Sequence, residues 1–155
     1  MIVSEPVETT THDVPRILIS TFMPDHTNPA GVVAVSVVDD GDGPRLERMW
    51  EFPAFSDEAA LQRFRRHPSR VQLAVFNGLE VAIVVEAAPA FERGTAYILR
   101  ASDGALLAEV ELEGPGYRFT QPLVVDDVIY VNSCDVDSGP GTLETIRMIA
   151  EEVAQ

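Results

Sequence analysis

The stretch Gly94–Ser133 reads GTAYILRASDGALLAEVELEGPGYRFTQPLVVDDVIYVNS. It holds four short runs rich in apolar and β-branched residues. They are Thr95–Arg100 (TAYILR), Leu106–Leu112 (LLAEVEL), Gln121–Val125 (QPLVV) and Val128–Asn132 (VIYVN). Between them stand ASDG, EGPG and DD, residues that tolerate tight turns and positive φ. Short strands punctuated in this way predict an antiparallel sheet. The stretch also has the look of one unit of a larger repeat.

Outward from it the same grammar continues. Arg16–Phe22 (RILISTF), Gly31–Asp39 (GVVAVSVVD), Pro44–Phe52 (PRLERMWEF), Arg70–Phe76 (RVQLAVF) and Glu80–Glu86 (EVAIVVE) are further strands, with DDGDG and NG among the connectors. The chain is therefore expected to be all-β and antiparallel: a sandwich, a barrel or a propeller. Two stretches depart from this pattern. Ser56–Arg66 (SDEAALQRFRR) has an N-cap serine, acids in its first turn and arginines in its last, which predicts a short helical insertion over 56–67 that ends at His67-Pro68. In Thr142–Ala154 (TLETIRMIAEEVA) a helical period overlaps a strand-like alternation, which predicts a strand-like start and a helical finish.

The unit recurs about three times, over residues 2–52, 70–112 and 119–155. The middle copy is complete, with strands RVQLAVF, EVAIVVE, TAYILR and LLAEVEL. Ile98, Leu99, Arg100, Ala101 and Gly104 stand where an outer blade strand reads roughly Ala-Leu-Asp-Ala-x-x-Gly. Gln121-Pro122 stands for a first-strand Ser-Pro, and Ile129-Tyr130-Val131-Asn132-Ser133 for Val-Tyr-Val-Gly-Ser. Trp50 supplies the tryptophan that closes a blade, a position that falls on Ala108 in the second unit. On these residues the chain resembles the blade repeats of the pyrroloquinoline-quinone-enzyme type of β-propeller. The resemblance implies about three four-stranded blades, a partial propeller. The turn Asp is replaced by Arg100, and the residues that hold the quinone and calcium have no counterpart, so no cofactor is expected.

Composition sets the remaining bounds. The 155 residues, 46% of them hydrophobic and 23% charged, suit one globular domain. The net charge is −14, and all eleven basic residues are arginine. Such a surface repels nucleic acid and anionic membrane, so neither is an expected partner. No apolar run reaches the length of a membrane-spanning helix, and the first residues lack the pattern of a signal peptide, so a cytoplasmic location is expected. The single cysteine, Cys134, excludes an intrachain disulfide.

Several residues are candidates for chemistry. Asp25 and His26, with Asn28, lie in FMPDHTNPAG, where an acid beside a histidine can hold a metal or move a proton. Asp135 and Asp137 alternate before a glycine in DVDSG, the way a loop begins to wrap Ca²⁺, but a full ligand set is missing. Cys134 has no neighbouring histidine in sequence to act as its base. Arg63, Arg65, Arg66 and Arg70 form the one basic cluster, in which 63, 66 and 70 share a helical face suited to docking on an acidic surface. Trp50, Phe52, Phe55 and Phe64 read as packing between blades, with a ligand pocket as the alternative. Paired acids such as Asp39-Asp40 and Asp126-Asp127 fall in hairpin turns, where aspartate has conformational uses.

A repeat without a catalytic constellation points to a non-catalytic binding or assembly module. Three blades do not close a propeller ring, so the module is expected to complete itself with another copy or a partner protein, through open sheet edges. Two alternatives stand beside it. One is a small closed β-barrel enzyme that shapes an apolar substrate, with acid-base help from Asp or His. The other is a fragment of a larger propeller.

Overall fold

The computed structural model describes residues 2–3, 6–9, 16–22, 31–53, 68–86, 93–115, 118–119, 121–134 and 141–149. Every regular element among them is a β-strand. The first five are β1 (Ile2–Val3), β2 (Val7–Glu8), β3 (Arg16–Phe22), β4 (Gly31–Asp39) and β5 (Pro44–Phe52). All pair antiparallel, and β1 and β2 follow one another along the same edge of β3, so this first sheet is four strands wide.

The second sheet is a meander of β6 (Gln72–Phe76), β7 (Leu79–Glu86), β8 (Arg93–Arg100) and β9 (Leu106–Pro115), in that order. Its first hairpin closes on Asn77 and Gly78, both at positive φ (49° and 78°), the turn geometry that an Asn-Gly pair favours. The third sheet holds β10 (Arg118–Phe119), β11 (Leu123–Val125), β12 (Val128–Cys134) and β13 (Thr142–Arg147). Strands β10 and β11 share one edge of β12 and β13 takes the other, so the sheet is three strands wide.

The sheets stack face on face, with the second in the middle. Alternation along a strand sends successive side chains to opposite faces. Ala82, Val84, Tyr97 and Leu99 of the middle sheet pack against Leu18, Val32, Ala34 and Trp50 of the first. Val81, Ile83, Val85, Ala96 and Ile98 point the other way, to Ile129 and Val131 of the third. Strand β7 is buried from Glu80 through Glu86 for this reason. EVAIVVE reads apolar without alternation because both of its faces are covered.

This arrangement decides between the closures that the sequence left open. Each sheet is an open ladder packed face-on against a neighbour, and none of the three closes into a barrel. Closure by hydrogen bonds needs one face turned inward, whereas here the middle sheet has an apolar neighbour on each side. Over Thr142–Arg147 the alternation wins, and the segment is a strand paired to β12 from Ser133↔Thr142 to Val128↔Arg147. The expected helical finish after residue 149 and the helical insertion over 56–67 lie outside the described residues. No helix among the described residues is long and apolar enough to cross a membrane.

The first two sheets share an irregularity. In sheet 1 the register slips between Ala34 and Val35, pairing Ala34 with Trp50 and Val35 with Arg48, so Met49 is the extra residue. In sheet 2 it slips between Ile98 and Leu99, pairing Ile98 with Ala108 and Leu99 with Leu106, so Leu107 is extra. A bulge of this kind re-aims the strand that carries it. It makes Ala34 equivalent to Ile98 and Trp50 equivalent to Ala108. The equivalence extends through the ladders, because Leu18 faces Ala34 as Ile83 faces Ile98.

Candidate interaction surface

Two kinds of sheet face exist in this stack: a leading face turned to the next sheet along the chain, and a trailing face turned to the one before. The joint between sheets 1 and 2 shows how they mate. Trp50, 9% exposed, lies on the leading face of sheet 1. Its indole Nε1 donates to the Ala101 carbonyl oxygen at 3.1 Å, in the β8–β9 turn of sheet 2. That turn is held by Arg100 and Asp103. The Ala105 and Arg100 donors to Asp103 keep its carboxyl below the usual range, the backbone N–H contributing most. Gly104 sits beneath the indole at φ +74°.

Further along the same joint, Phe52 meets Tyr97 with ring centroids 5.5 Å apart. The Tyr97 hydroxyl donates to Glu86 Oε2 at 3.3 Å. Burial, with the nearby Glu86 and Glu109 carboxylates, pushes the phenol far above its ordinary range, so it stays a hydrogen-bond donor throughout the neutral range. The Phe52–Tyr97 contact joins the sheets at this end as the indole does at the other, and the Tyr97–Glu86 bond braces it from within sheet 2, running from β8 to β7. No cluster of three or more metal-ligating side chains occurs among the described residues.

The stack has two outward faces. The trailing face of sheet 1 carries Ile17, Ile19, Val33 and Val35. By the bulge equivalence these stand where sheet 2 buries Ala82, Val84, Tyr97 and Leu99. Val37 and Leu46, paired across β4 and β5, extend this face and are 54% and 68% exposed. The leading face of sheet 3 carries Leu123, Val125, Val128 and Tyr130, with Leu143 beside them. Leu123 and Leu143 are 59% and 67% exposed. The hairpins place Leu123, Val125 and Tyr130 where sheet 2 uses Ala74, Phe76 and Val81 to receive sheet 3. An apolar strip of this kind on each end of a stack is more than scattered surface leucine.

Ion pairs within the molecule lie on both faces, with Arg48 opposite Val35, Glu51 opposite Val33 and Arg147 opposite Val128. Arg48 Nη1 lies 2.7 Å from Glu51 Oε2, and Arg147 Nε lies 3.7 Å from Asp127 Oδ2. The paired acids of the turns have local roles, as Asp39 Oδ1 accepts from the Gly41 N–H and Asp126 adopts φ 54°.

Of the residues singled out from the sequence, Trp50 is packed between sheets and Arg70 is exposed on the segment that joins them. Asp25, His26, Arg63, Arg66, Asp135 and Asp137 lie outside the described residues, as do Arg65, Phe55 and Phe64. The sequence reading missed the outward faces and the Glu86–Tyr97 tie. A signal for the first was present in GVVAVSVVD, a strand apolar at both parities, which asks for cover on both sides. Neither a protein-family model nor a curated protein nor a solved structure matches the chain.

Proposed function

We propose that the chain is a non-catalytic binding and assembly module: a partial, propeller-like stack of sheets that is completed through its two outer faces, by another copy or by a partner protein. One observation carries the reading. Positions that the middle sheet buries on both sides recur on the end sheets, where Ile17, Ile19, Val33, Val35 and Tyr130 are only partly buried and Leu46, Leu123 and Leu143 are exposed. Burying such strips releases free energy in proportion to apolar area, about 25 cal/mol per Å². The use of the fold is then to present these strips on a rigid support.

The test measures absolute mass by light scattering over a wide range of concentration, together with binding of an apolar fluorescent dye. An assembled species, or a monomer that binds dye which Leu46→Glu and Leu143→Glu abolish, supports the reading. A strict monomer whose faces bind no dye sinks it.

A further inference from the structure

We infer that the occupant of each outer face is a second copy of this chain, and that two copies join head to tail, the leading face of sheet 3 of each seated on the trailing face of sheet 1 of the other. This rests on the reading just given and names the partner within it.

The argument is internal to the molecule. The chain makes the same joint twice, sheet 1 to sheet 2 and sheet 2 to sheet 3, always leading face to trailing face. Three sheets joined in series leave over one face of each kind. The leftover faces are therefore matched in kind to each other rather than to themselves. Ile17, Ile19, Val33 and Val35 are built as the half of a joint whose other half has the position types of Leu123, Val125 and Tyr130. Joining them in two copies related by a two-fold axis gives two identical joints and six sheets, with no face left open. A head-to-tail contact that closes in this way yields a discrete dimer, whereas one that does not close yields a fibre.

Charge permits the contact. Each copy carries −14, which opposes association. On the faces themselves Arg48 pairs with Glu51 and Arg147 with Asp127, and Glu8, opposite Ile17, adds one carboxylate to the trailing face of sheet 1, so most of the repulsion comes from the rest of the surface. Repulsion of that kind is screened by salt while apolar burial is not. The dimer is thus expected to tighten as salt rises. Docking of a basic partner would weaken instead.

The experiment uses the full chain and two variants. Leu46→Glu spoils the trailing face of sheet 1, and Leu123→Glu with Leu143→Glu spoils the leading face of sheet 3. All three side chains are exposed, so circular dichroism and melting temperature should match those of the parent. Sedimentation equilibrium at low and high salt is expected to show a dimer for the parent. Each variant alone should be at least tenfold weaker, because both of its joints contain one spoiled face. Mixing the two variants should restore a heterodimer, since one of its joints then has two intact faces. If the sheet 3 variant alone still dimerises as the parent does, the contact is face to like face and the head-to-tail arrangement is overturned. A parent that stays monomeric at every salt and concentration overturns the second copy as occupant. Dye binding by that monomer would leave the assembly reading standing with a different partner.

Discussion

Gly104→Ala probes the joint between sheets 1 and 2 with the least disturbance to anything else. A Cβ at residue 104 would lie 2.5 Å from Trp50 Cε3 and 2.7 Å from Cδ2, against the roughly 3.5–4.0 Å at which carbon atoms rest. The indole has little room to retreat, because its Nε1 is hydrogen bonded to Ala101 within the same turn. Forcing the extra methyl in costs about 1–3 kcal/mol. The backbone adds about 1–2 kcal/mol, because alanine at φ +74° is in the left-handed region. The single variant should therefore lose about 2–5 kcal/mol. Trp50→Leu removes the ring that the added methyl would strike, at no more than the ~3–5 kcal/mol typical of truncating a buried Trp to Ala. In the Trp50→Leu background, Gly104→Ala should cost only its backbone share. The double-mutant cycle then shows a coupling of about 1–3 kcal/mol. Urea unfolding at one protein concentration, with unchanged m-values, measures it. Additivity within about 0.5 kcal/mol would refute a packed indole over Gly104.

Tyr97→Phe deletes a buried donor to Glu86 and should cost about 1–3 kcal/mol at neutral pH. The folded phenol titrates far above the unfolded one. Its contribution is thus whole below about pH 10 and is lost as pH rises beyond it, so the Phe variant should lose less stability than the parent as pH is raised above about 10. Parallel pH curves for the two proteins would contradict the tie. Ile83→Ala, at the buried joint between sheets 2 and 3, should cost about 2–5 kcal/mol, whereas Val75→Thr, at the exposed position of β6, should stay within about 0.5 kcal/mol. Similar losses at both sites would mean that sheet 2 is not covered on that side.

Much of the fold was legible because turn chemistry and strand composition are local. Asn77-Gly78 could mark its hairpin from two residues alone. Even the match between Trp50 and Ala108 was readable, and the shared bulge explains it, since the same slip of register puts both on the same face. At Thr142–Arg147 the two periods coincide over a short window, and pairing to β12 decides the outcome, something no local pattern contains. Barrel and stack were likewise inseparable from strands alone, because the difference lies in which sheet covers which. The outward faces were hidden for a related reason. Leu46 and Leu143 look like core residues in sequence, and only the order of stacking shows that nothing described covers them.

Within each described sheet the strands are consecutive in the chain, and no strand from one sheet intrudes between those of another. Such a chain can grow by tandem duplication without rethreading. A copied segment the length of one unit would form its own meander and slot into the stack, trailing face to the last sheet and leading face to the next. Selection could therefore vary the number of sheets in one genetic step, and the ends of the stack, wherever they fall, would inherit the same two unsatisfied surfaces.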